Sequence, residues 1–192
     1  MSLTSINKVS IRYRSGGHSF STEELKSLTS RGESLEVVVV TPKCVLVPAS
    51  EYLSIHKADY LCSVGLAPEI TECIIDTPAV KDIIAVLAID KAFAERLFNL
   101  KADIAFSTPL LSDLAIERGT LIELIDDVLY LRIYNNGLLF AEAMEIKSDT
   151  DIIHILQRLH DIYDIYNTYA RALGDVERIT RVCKGCFKHI DK

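Results

Sequence analysis

The sequence has no run of lysines and arginines that would offset its negative charge. With 21 basic and 27 acidic residues, its formal net charge is −6. Nucleic acids and anionic membranes are bound through a concentrated positive field. We therefore expect no general affinity for nucleic acid or for anionic membranes.

Long apolar runs and an export signal are also missing. No apolar stretch reaches the roughly 20 residues that a membrane-spanning helix needs. The first residues, MSLTSINK, do not combine a basic start with an apolar core, as a signal peptide does. These absences predict a cytoplasmic protein without direct membrane insertion.

Disulfides are not expected to hold the chain together. The five cysteines are odd in number and form no repeating framework, so reduced thiols are the default for a cytosolic protein. Apolar residues make up 49% of the sequence, which is enough for a substantial core. A chain of 192 residues has room for one large or two small domains.

The most informative stretch runs from residue 120 to residue 182. Residues 128–134 alternate between aliphatic side chains and Tyr130, Arg132 and Tyr134, which predicts a half-buried strand. Extended segments at 120–125 and 138–146 flank this strand. The turns between them contain Asp126-Asp127 and Asn135-Asn136-Gly137, whose residues suit hairpin turns. We therefore predict three meandering strands.

A long amphipathic helix is predicted after the meander. Ser148 is its expected N-cap, with Asp151 completing a capping box. Apolar residues at helical spacing continue to Leu173, and Gly174 is expected to end the helix. A short strand over 178–182 is predicted to follow.

The earlier part of the chain predicts a first half of similar organisation. An alternating segment at 8–13, a glycine turn at 14–18 and a returning strand from Ser19 predict a hairpin. An interior strand at 35–41, a helix at 51–63 and a second hairpin over 71–89 are predicted next. Asp90 is expected to cap one helix, and Pro109 to open another that ends at Arg118 before Gly119. We predict two related α/β halves with α+β character, residues 1–118 and 119–192.

Several of these segments resemble a known group of proteins. They are IRYRSGGHSF at 11–20, VVVVT at 37–41 with VLVP at 45–48, and LYLRIYNNGLLF at 129–140 with IKSDTDI at 146–152. Together they resemble an uncharacterised bacterial family with an actin-like ATPase fold. The wider group includes actins, sugar kinases, heat-shock chaperone ATPases and the actin-like accessory proteins of type IV pili. The resemblance implies two degenerate ribonuclease-H-like halves with mixed sheets and flanking helices.

The sequence departs from the nucleotide-binding pattern of that group. Actin-like ATPases carry an acidic residue and a glycine on the first hairpin turn of each half, for the metal and the phosphates respectively. Here the turn at 14–18 has glycines but no carboxylate, and the turn at 125–128 has carboxylates but no glycine. No glycine-rich adenosine-binding turn is evident after the long helix. The resemblance therefore implies a fold kept without efficient ATP hydrolysis.

Ser15, Gly16, Gly17 and Asp126 are the candidate nucleotide contacts. The glycines would cradle a phosphate, and Asp126 would bind magnesium. The simpler interpretation is a hairpin that uses glycine for its backbone geometry and a solvated pair of aspartates. We expect no cofactor, and ATP with magnesium is the alternative.

Cys183, Cys186 and His189 form the most specific local pattern. Two thiolates three residues apart can share a zinc ion, and His189 would be a third ligand. A redox Cys-x-x-Cys after a strand is another interpretation. No fourth zinc ligand and no thioredoxin-like pattern accompany the motif, so two partly buried structural thiols are the simplest interpretation.

We therefore expect a non-catalytic module of actin-like fold that binds another protein or takes part in an assembly, with a degenerate nucleotide site. The sequence does not identify the partner, and a homo-oligomer stays open. The alternative is a weak nucleotide-binding ATPase or switch with its ligand in the cleft between the halves. A zinc- or redox-linked module comes third.

Overall fold

The structure is a computed structural model that describes residues 8–14, 20–29, 34–100, 102–112 and 116–192. The chain divides into two compact units, Met1–Leu111 and Ser112–Lys192. None of the helices in the described ranges is both long and apolar enough to cross a membrane. That the chain consists of two related halves stays a prediction.

The described part of the first unit contains a parallel and an antiparallel sheet. The parallel sheet has the strand order β1-β2-β6, and the antiparallel sheet has the order β3-β5-β4. Short 3-10 turns lie at Ser54–His56 and Pro109–Leu111. The elements are β1 (Lys8–Arg14), α1 (Thr22–Thr29), β2 (Ser34–Val40), β3 (Cys44–Pro48), α2 (Lys57–Ser63), β4 (Glu72–Asp76), β5 (Ile83–Asp90), α3 (Lys91–Phe98) and β6 (Ile104–Ser107).

The predicted N-terminal hairpin is wrong. β1 pairs in parallel with β2, and α1 lies between them in the chain, while Phe20 and Ser21 are in no strand. The Ser21 backbone N–H donates to Glu24 Oε2 at 2.7 Å, and Ser21 Oγ accepts from the Glu24 N–H at 3.2 Å. This reciprocal pair is a capping box, and it starts helix α1 at Thr22, immediately after the residues where the returning strand was expected to begin.

Three other predictions in the first unit are confirmed. β2 is the central strand of its sheet, and Val37 and Val39 are fully buried on it. β4 and β5 form the predicted antiparallel hairpin. Asp90 caps α3, because its Oδ1 accepts a hydrogen bond from the Phe93 N–H at 2.8 Å.

Two predicted helices of the first part are shorter than expected. The helix predicted at 51–63 is the Ser54–His56 turn followed by α2. Of the helix predicted from Pro109 to Arg118, the described residues contain the turn Pro109–Leu111, and Arg118 already belongs to a strand. Proline suits the first turn of any helical segment. Pro109 therefore predicts where this segment begins but not how long it is.

The second unit is built on one five-stranded sheet with the strand order β11-β10-β7-β8-β9. The predicted meander is confirmed, since β7, β8 and β9 are antiparallel neighbours. β10 is parallel to β7 and to β11. The elements are β7 (Arg118–Ile125), β8 (Val128–Asn135), β9 (Leu138–Glu145), α4 (Asp149–Tyr163), β10 (Tyr169–Gly174), α5 (Val176–Val182) and β11 (His189–Asp191).

The helix after the meander begins as predicted but ends earlier. Ser148 caps α4, and Asp151 Oδ2 accepts from the Ser148 N–H at 2.8 Å. The helix ends at Tyr163, because Asp164 adopts the left-handed conformation with a φ of 51°. The segment expected to continue the helix is strand β10. Ala170 and Ala172 are both in the core, and this i, i+2 spacing is that of a strand, because residues two apart do not share a face of a helix.

The strand predicted at 178–182 is also wrong, since these residues lie in helix α5. Asp175 is its N-cap, and Asp175 Oδ1 accepts from the Arg178 N–H at 3.0 Å. Helices α4 and α5 pack on one face of the sheet. The core that they form with it contains Ile122, Leu124, Leu129, Leu131, Ile133, Ile152, Leu156, Leu159, Ala170, Ala172, Ile179 and Cys183.

Strand β8 is buried on both faces rather than on one. Leu129 and Leu131 face the helices. On the other face Tyr130 is 0% exposed and Arg132 is 1% exposed. The prediction of a half-buried strand is therefore wrong for the face that carries Tyr130 and Arg132.

Strands β7 and β10 approach each other closely near both ends. A Cβ atom on Gly119 would lie 2.5 Å from the Tyr169 carbonyl oxygen, and one on Gly174 would collide with the Leu124 carbonyl oxygen. Both glycines have positive φ, 132° and 71°, which side chains disfavour. They were predicted to end helices, and instead they let two parallel strands pack together.

Candidate functional site

The carboxyl ends of β7 and β10 meet at one edge of the sheet in the second unit. β7 leads into the turn Asp126-Asp127, and β10 leads through Asp175 into α5. In open α/β sheets ligands bind beyond the carboxyl ends of parallel strands. We call this region the acidic edge, defined by Asp126, Asp127, Asp149, Asp151 and Asp175.

The predicted nucleotide contact Asp126 lies on the acidic edge. It is exposed, and its φ of 55° places it in a tight two-residue turn. The Asp127 carbonyl oxygen accepts a hydrogen bond from the Ile146 N–H at 2.7 Å. Ser15, Gly16 and Gly17 lie outside the described residues, so the nucleotide site stays a prediction.

Backbone donors at this edge are bonded within the protein. The Asp175 N–H donates to the Leu124 carbonyl oxygen at 2.8 Å. At the start of α4 the Asp151 N–H donates to Ser148 Oγ at 3.4 Å. The first N–H groups of a helix are the usual anion site, and here the Ser148 and Asp175 side chains each accept from one such group, at α4 and α5 respectively.

The two arginines nearest this edge are also bonded. Arg178 Nε lies 2.6 Å from Asp149 Oδ1, and Arg181 Nη2 lies 3.0 Å from Asp149 Oδ2. The hydrogen bond from Arg178, and secondarily that from Arg181, lowers the pKa of Asp149 below its ordinary 3.8. The carboxylate is therefore ionised near neutral pH and holds both cations.

The predicted zinc residues lie at the other end of α5. Cys183 is fully buried in the core, and burial raises the pKa of its thiol to about 12. Burial also raises the pKa of Cys186, although its hydrogen bond to Tyr166 opposes the change. Both thiols follow the carboxyl end of a helix, where the helix dipole disfavours a thiolate.

The third predicted zinc ligand, His189, pairs with a carboxylate and not with these thiols. It lies on β11, and its Nε2 is 2.9 Å from Asp191 Oδ1. Among the described residues no group of three or more His, Cys, Asp and Glu side chains is placed to hold a metal ion. Zinc binding by Cys183, Cys186 and His189 is left to metal analysis and stays a prediction.

A buried arginine was missed by the sequence pattern. Arg132 Nη1 donates to the Ser112 carbonyl oxygen at 3.1 Å, and its Nη2 lies 3.8 Å from Glu123 Oε2. Its Nε and Nη2 atoms have no hydrogen-bond partner in the described structure. Alternation assigned Arg132 to an outer face, and the only available signal was a charge within an otherwise apolar strand.

A groove lies at the opposite end of the sheet, where β7 and β10 begin. Its main pocket has a volume of about 490 Å³ and is lined by Ile116, Arg118, Tyr169, Ala170, Arg171, Asp191 and Lys192. A second pocket of about 130 Å³ shares Arg118 and extends to Asn135 and Leu139. We call the two pockets together the Arg118 groove.

The cations of the Arg118 groove differ in their ion pairing from the two arginines at the acidic edge. Arg118, Arg171 and Lys192 form no ion pair with any residue of the described ranges. The carboxylates that line the groove have partners already. Asp191 pairs with His189, and Asp164 Oδ1 accepts from Asn167 Nδ2 at 2.9 Å.

No protein-family model matches the chain, and no curated protein matches it by sequence. Solved structures that are similar to it include the following two. A Bacteroides thetaiotaomicron protein with an actin-like ATPase fold and unknown function has a TM-score of 0.69 and 13% identity, over 89% of this chain and 76% of that one. The cytoplasmic domain of EpsL, an inner membrane component of the type II secretion system of Vibrio cholerae, has a TM-score of 0.52 and 13% identity, over 88% of this chain and 82% of that one.

These similarities at 13% identity concern the fold and not the activity. They agree with the mixed sheet of the second unit, with the parallel and the antiparallel sheet of the first unit, and with the helices observed in both units. The chain has the α/β fold of the actin-like ATPases.

Proposed function

We propose that this protein is a non-catalytic, cytoplasmic module of actin-like fold that binds another protein within an assembly, and that its nucleotide site is degenerate. The acidic edge of the second unit is the observation that carries this proposal. Ligand phosphates would be expected at this edge of an α/β sheet. Here the edge presents carboxylates, while Arg178 and Arg181 and the N–H groups of Asp151 and Asp175 are engaged within the chain.

The residues of the acidic edge do not fit a bound triphosphate. Its turn has two aspartates and no glycine, so no glycine N–H approaches a phosphate there. Carboxylates repel a phosphate chain unless a metal ion lies between them, and among the described residues no group of three or more His, Cys, Asp and Glu side chains is placed to hold such an ion.

The protein-binding part of the proposal is supported by a structural relative and by the exposed end of the sheet. EpsL is a component of a secretion system, and its cytoplasmic domain has this fold. In the present chain β9 is the last strand on one side of the five-stranded sheet as described. Leu138 and Leu139 at its start are exposed. Exposed strand edges and apolar side chains are common elements of protein recognition.

A thermal-shift titration with magnesium-ATP tests the non-catalytic part. At about 5 mM ligand, a site with a Kd of about 0.05 mM would stabilise the protein by about 2.7 kcal/mol. For a chain of this size that corresponds to an increase in Tm of roughly 5–11 °C. We expect no measurable increase. A clear increase would favour the nucleotide-binding switch that the sequence of Ser15, Gly16 and Gly17 suggests.

Reconstitution tests the protein-binding part. The protein is crosslinked in its native cell, the crosslinked partner is purified separately, and the two are mixed without nucleotide. We expect a complex of defined stoichiometry by size-exclusion chromatography with light scattering. A complex that forms only when ATP is added would contradict the proposal.

A further inference from the structure

We propose, on the basis of the protein-binding function above, that the Arg118 groove binds an acidic, extended segment of the partner protein. The groove is a place where cations are concentrated although the whole chain has a net charge of −6. It lies at the amino ends of β7 and β10 and so is separate from the acidic edge at their carboxyl ends.

The charge of the groove determines the chemistry of its partner. Arg118, Arg171 and Lys192 line the main pocket, and in the described residues none of them has an ion-pair partner. Asp191 is held by His189, with 2.9 Å between Nε2 and Oδ1. Guanidinium groups bind carboxylates through two parallel hydrogen bonds, so glutamate and aspartate side chains are the matching ligands.

Apolar surface beside the cations favours a peptide over a free anion. Tyr169 is 53% exposed in the main pocket, and Leu139 is 51% exposed in the second pocket. The Lys188 ammonium group lies 5.6 Å from the Tyr169 ring centroid and adds positive charge there. A free phosphate would leave Tyr169 and Leu139 in water, whereas a polypeptide with both acidic and apolar side chains would cover them.

The shape of the groove favours an extended segment. The two pockets share Arg118 and run past the ends of β10, β7 and β8 to the start of β9. Small-molecule sites enclose most of their ligand in an apolar cavity. The side chains that line this groove are mostly at the surface instead, so an occupant would lie along the strand ends.

Fluorescence anisotropy with a defined probe tests the proposal. The probe is a fluorescein-labelled peptide of repeated Glu-Glu-Leu triplets, and its control replaces every Glu by Gln. We expect the acidic peptide to bind the wild-type chain and the Gln peptide to bind much more weakly. In amide chemical-shift mapping, the acidic peptide should perturb Arg118, Tyr169 and Arg171.

A matched pair of variants locates the binding. Arg118→Glu with Arg171→Glu should weaken binding about tenfold, because two attractive contacts become repulsive. Arg158→Glu makes the same type of change at an exposed position of α4 and should alter affinity by less than about twofold. Unchanged thermal midpoints in all variants will show that they are folded.

Several outcomes would overturn the proposal. They are an absence of binding to the wild-type chain at about millimolar peptide, an equal loss in Arg158→Glu, full displacement of the peptide by inorganic phosphate, and tighter binding of a single-stranded RNA homopolymer. A purified partner that binds the Arg118/Arg171 variant as well as the wild type would also overturn it, although the protein-binding function would stand. If the protein-binding function itself were wrong, the result would be different: the peptide would still bind the groove, but no protein partner would be found.

Discussion

The two ends of the five-stranded sheet in the second unit differ in charge and in bonding. At the acidic edge both arginines are held by Asp149. At the Arg118 groove the cations form no ion pairs in the described chain. Under the proposed function, the arginines at the acidic edge have a structural role, while the cations at the opposite end of the sheet bind the partner.

Substitution of a glycine beside the acidic edge is expected to have the largest effect. Gly174→Ala places a Cβ against the Leu124 carbonyl oxygen at a φ of 71°, so we expect a loss of about 4 kcal/mol in unfolding free energy. Gly185→Ala is the control, because its φ is 85° but no atom lies within 4 Å of its added Cβ. It should cost only about 1 kcal/mol. Equal losses in urea denaturation would show that the edge is not closely packed.

The buried Arg132 should contribute to the free energy of unfolding, whereas the exposed Arg118 of the groove should contribute little. Arg132→Ala removes a buried side chain with few partners, and we expect a loss of about 2–4 kcal/mol. Arg132→Met combined with Glu123→Gln keeps the volume and removes both the unpaired donors and the carboxylate that faces them, so it should cost much less. Arg118→Ala should stay within about 0.5 kcal/mol of the wild type. A large loss of unfolding free energy for Arg118→Ala in chemical denaturation would show that the groove cations have a structural role.

Removing the carboxylate of Asp149 should leave unpaired arginines at the acidic edge, as at the Arg118 groove. Asp149→Asn releases Arg178 and Arg181, and we expect a few-fold gain in affinity for pyrophosphate, measured by calorimetry. Asp151→Asn is the control, since it changes the same charge without freeing an arginine. Equal gains in the two variants would show that net charge, and not the release of the arginines, governs anion binding.

The same Asp149 substitution has a predictable pH dependence. The pKa of Asp149 is lowered in the folded chain, first by Arg178. A lowered carboxyl pKa stabilises the fold above the unfolded value of 3.8, and this contribution is lost as pH falls through the folded pKa. The difference in stability between wild type and Asp149→Asn should therefore be present at pH 7 and shrink below 3.8. A constant difference across that range would contradict the ion pair.

Metal removal is expected to have the smallest effect. The raised pKa of Cys183, about 12, opposes the thiolate that zinc requires. Elemental analysis of protein purified without chelator should find far less than one zinc per chain, and a chelator should leave the Tm unchanged. Stoichiometric zinc that is lost in Cys186→Ser would establish the predicted site instead.

The meander could be predicted from sequence because its information is local. Alternation along β8 and two-residue turns at Asp126-Asp127 and Asn136-Gly137 suffice to define it. The end of α4 could not be predicted, since residues 166–173 fit both a helix and a strand. Pairing of β10 with β7, far away in the sequence, decides between the two.

The candidate site was harder to predict from the sequence than the fold, because it depends on contacts between residues that are distant in the sequence. The thiols of Cys183 and Cys186 form a visible motif, but the burial that raises their pKa depends on the whole core. Arg132 belongs to an alternating pattern and is nevertheless buried. Arg118 and Arg171 line one groove only because β7 and β10 are parallel neighbours, and no local pattern joins them.

Chemical-shift mapping on one isotope-labelled sample compares the two ends most directly. Magnesium-ATP and the Glu-Glu-Leu peptide are titrated separately, and the amides of the acidic edge and the Arg118 groove are followed. We predict that the peptide moves the amides of Arg118, Tyr169 and Arg171, and that ATP leaves those of Asp126, Gly174 and Asp175 in place. Saturable shifts of Asp126, Gly174 and Asp175 with ATP would contradict a degenerate nucleotide site.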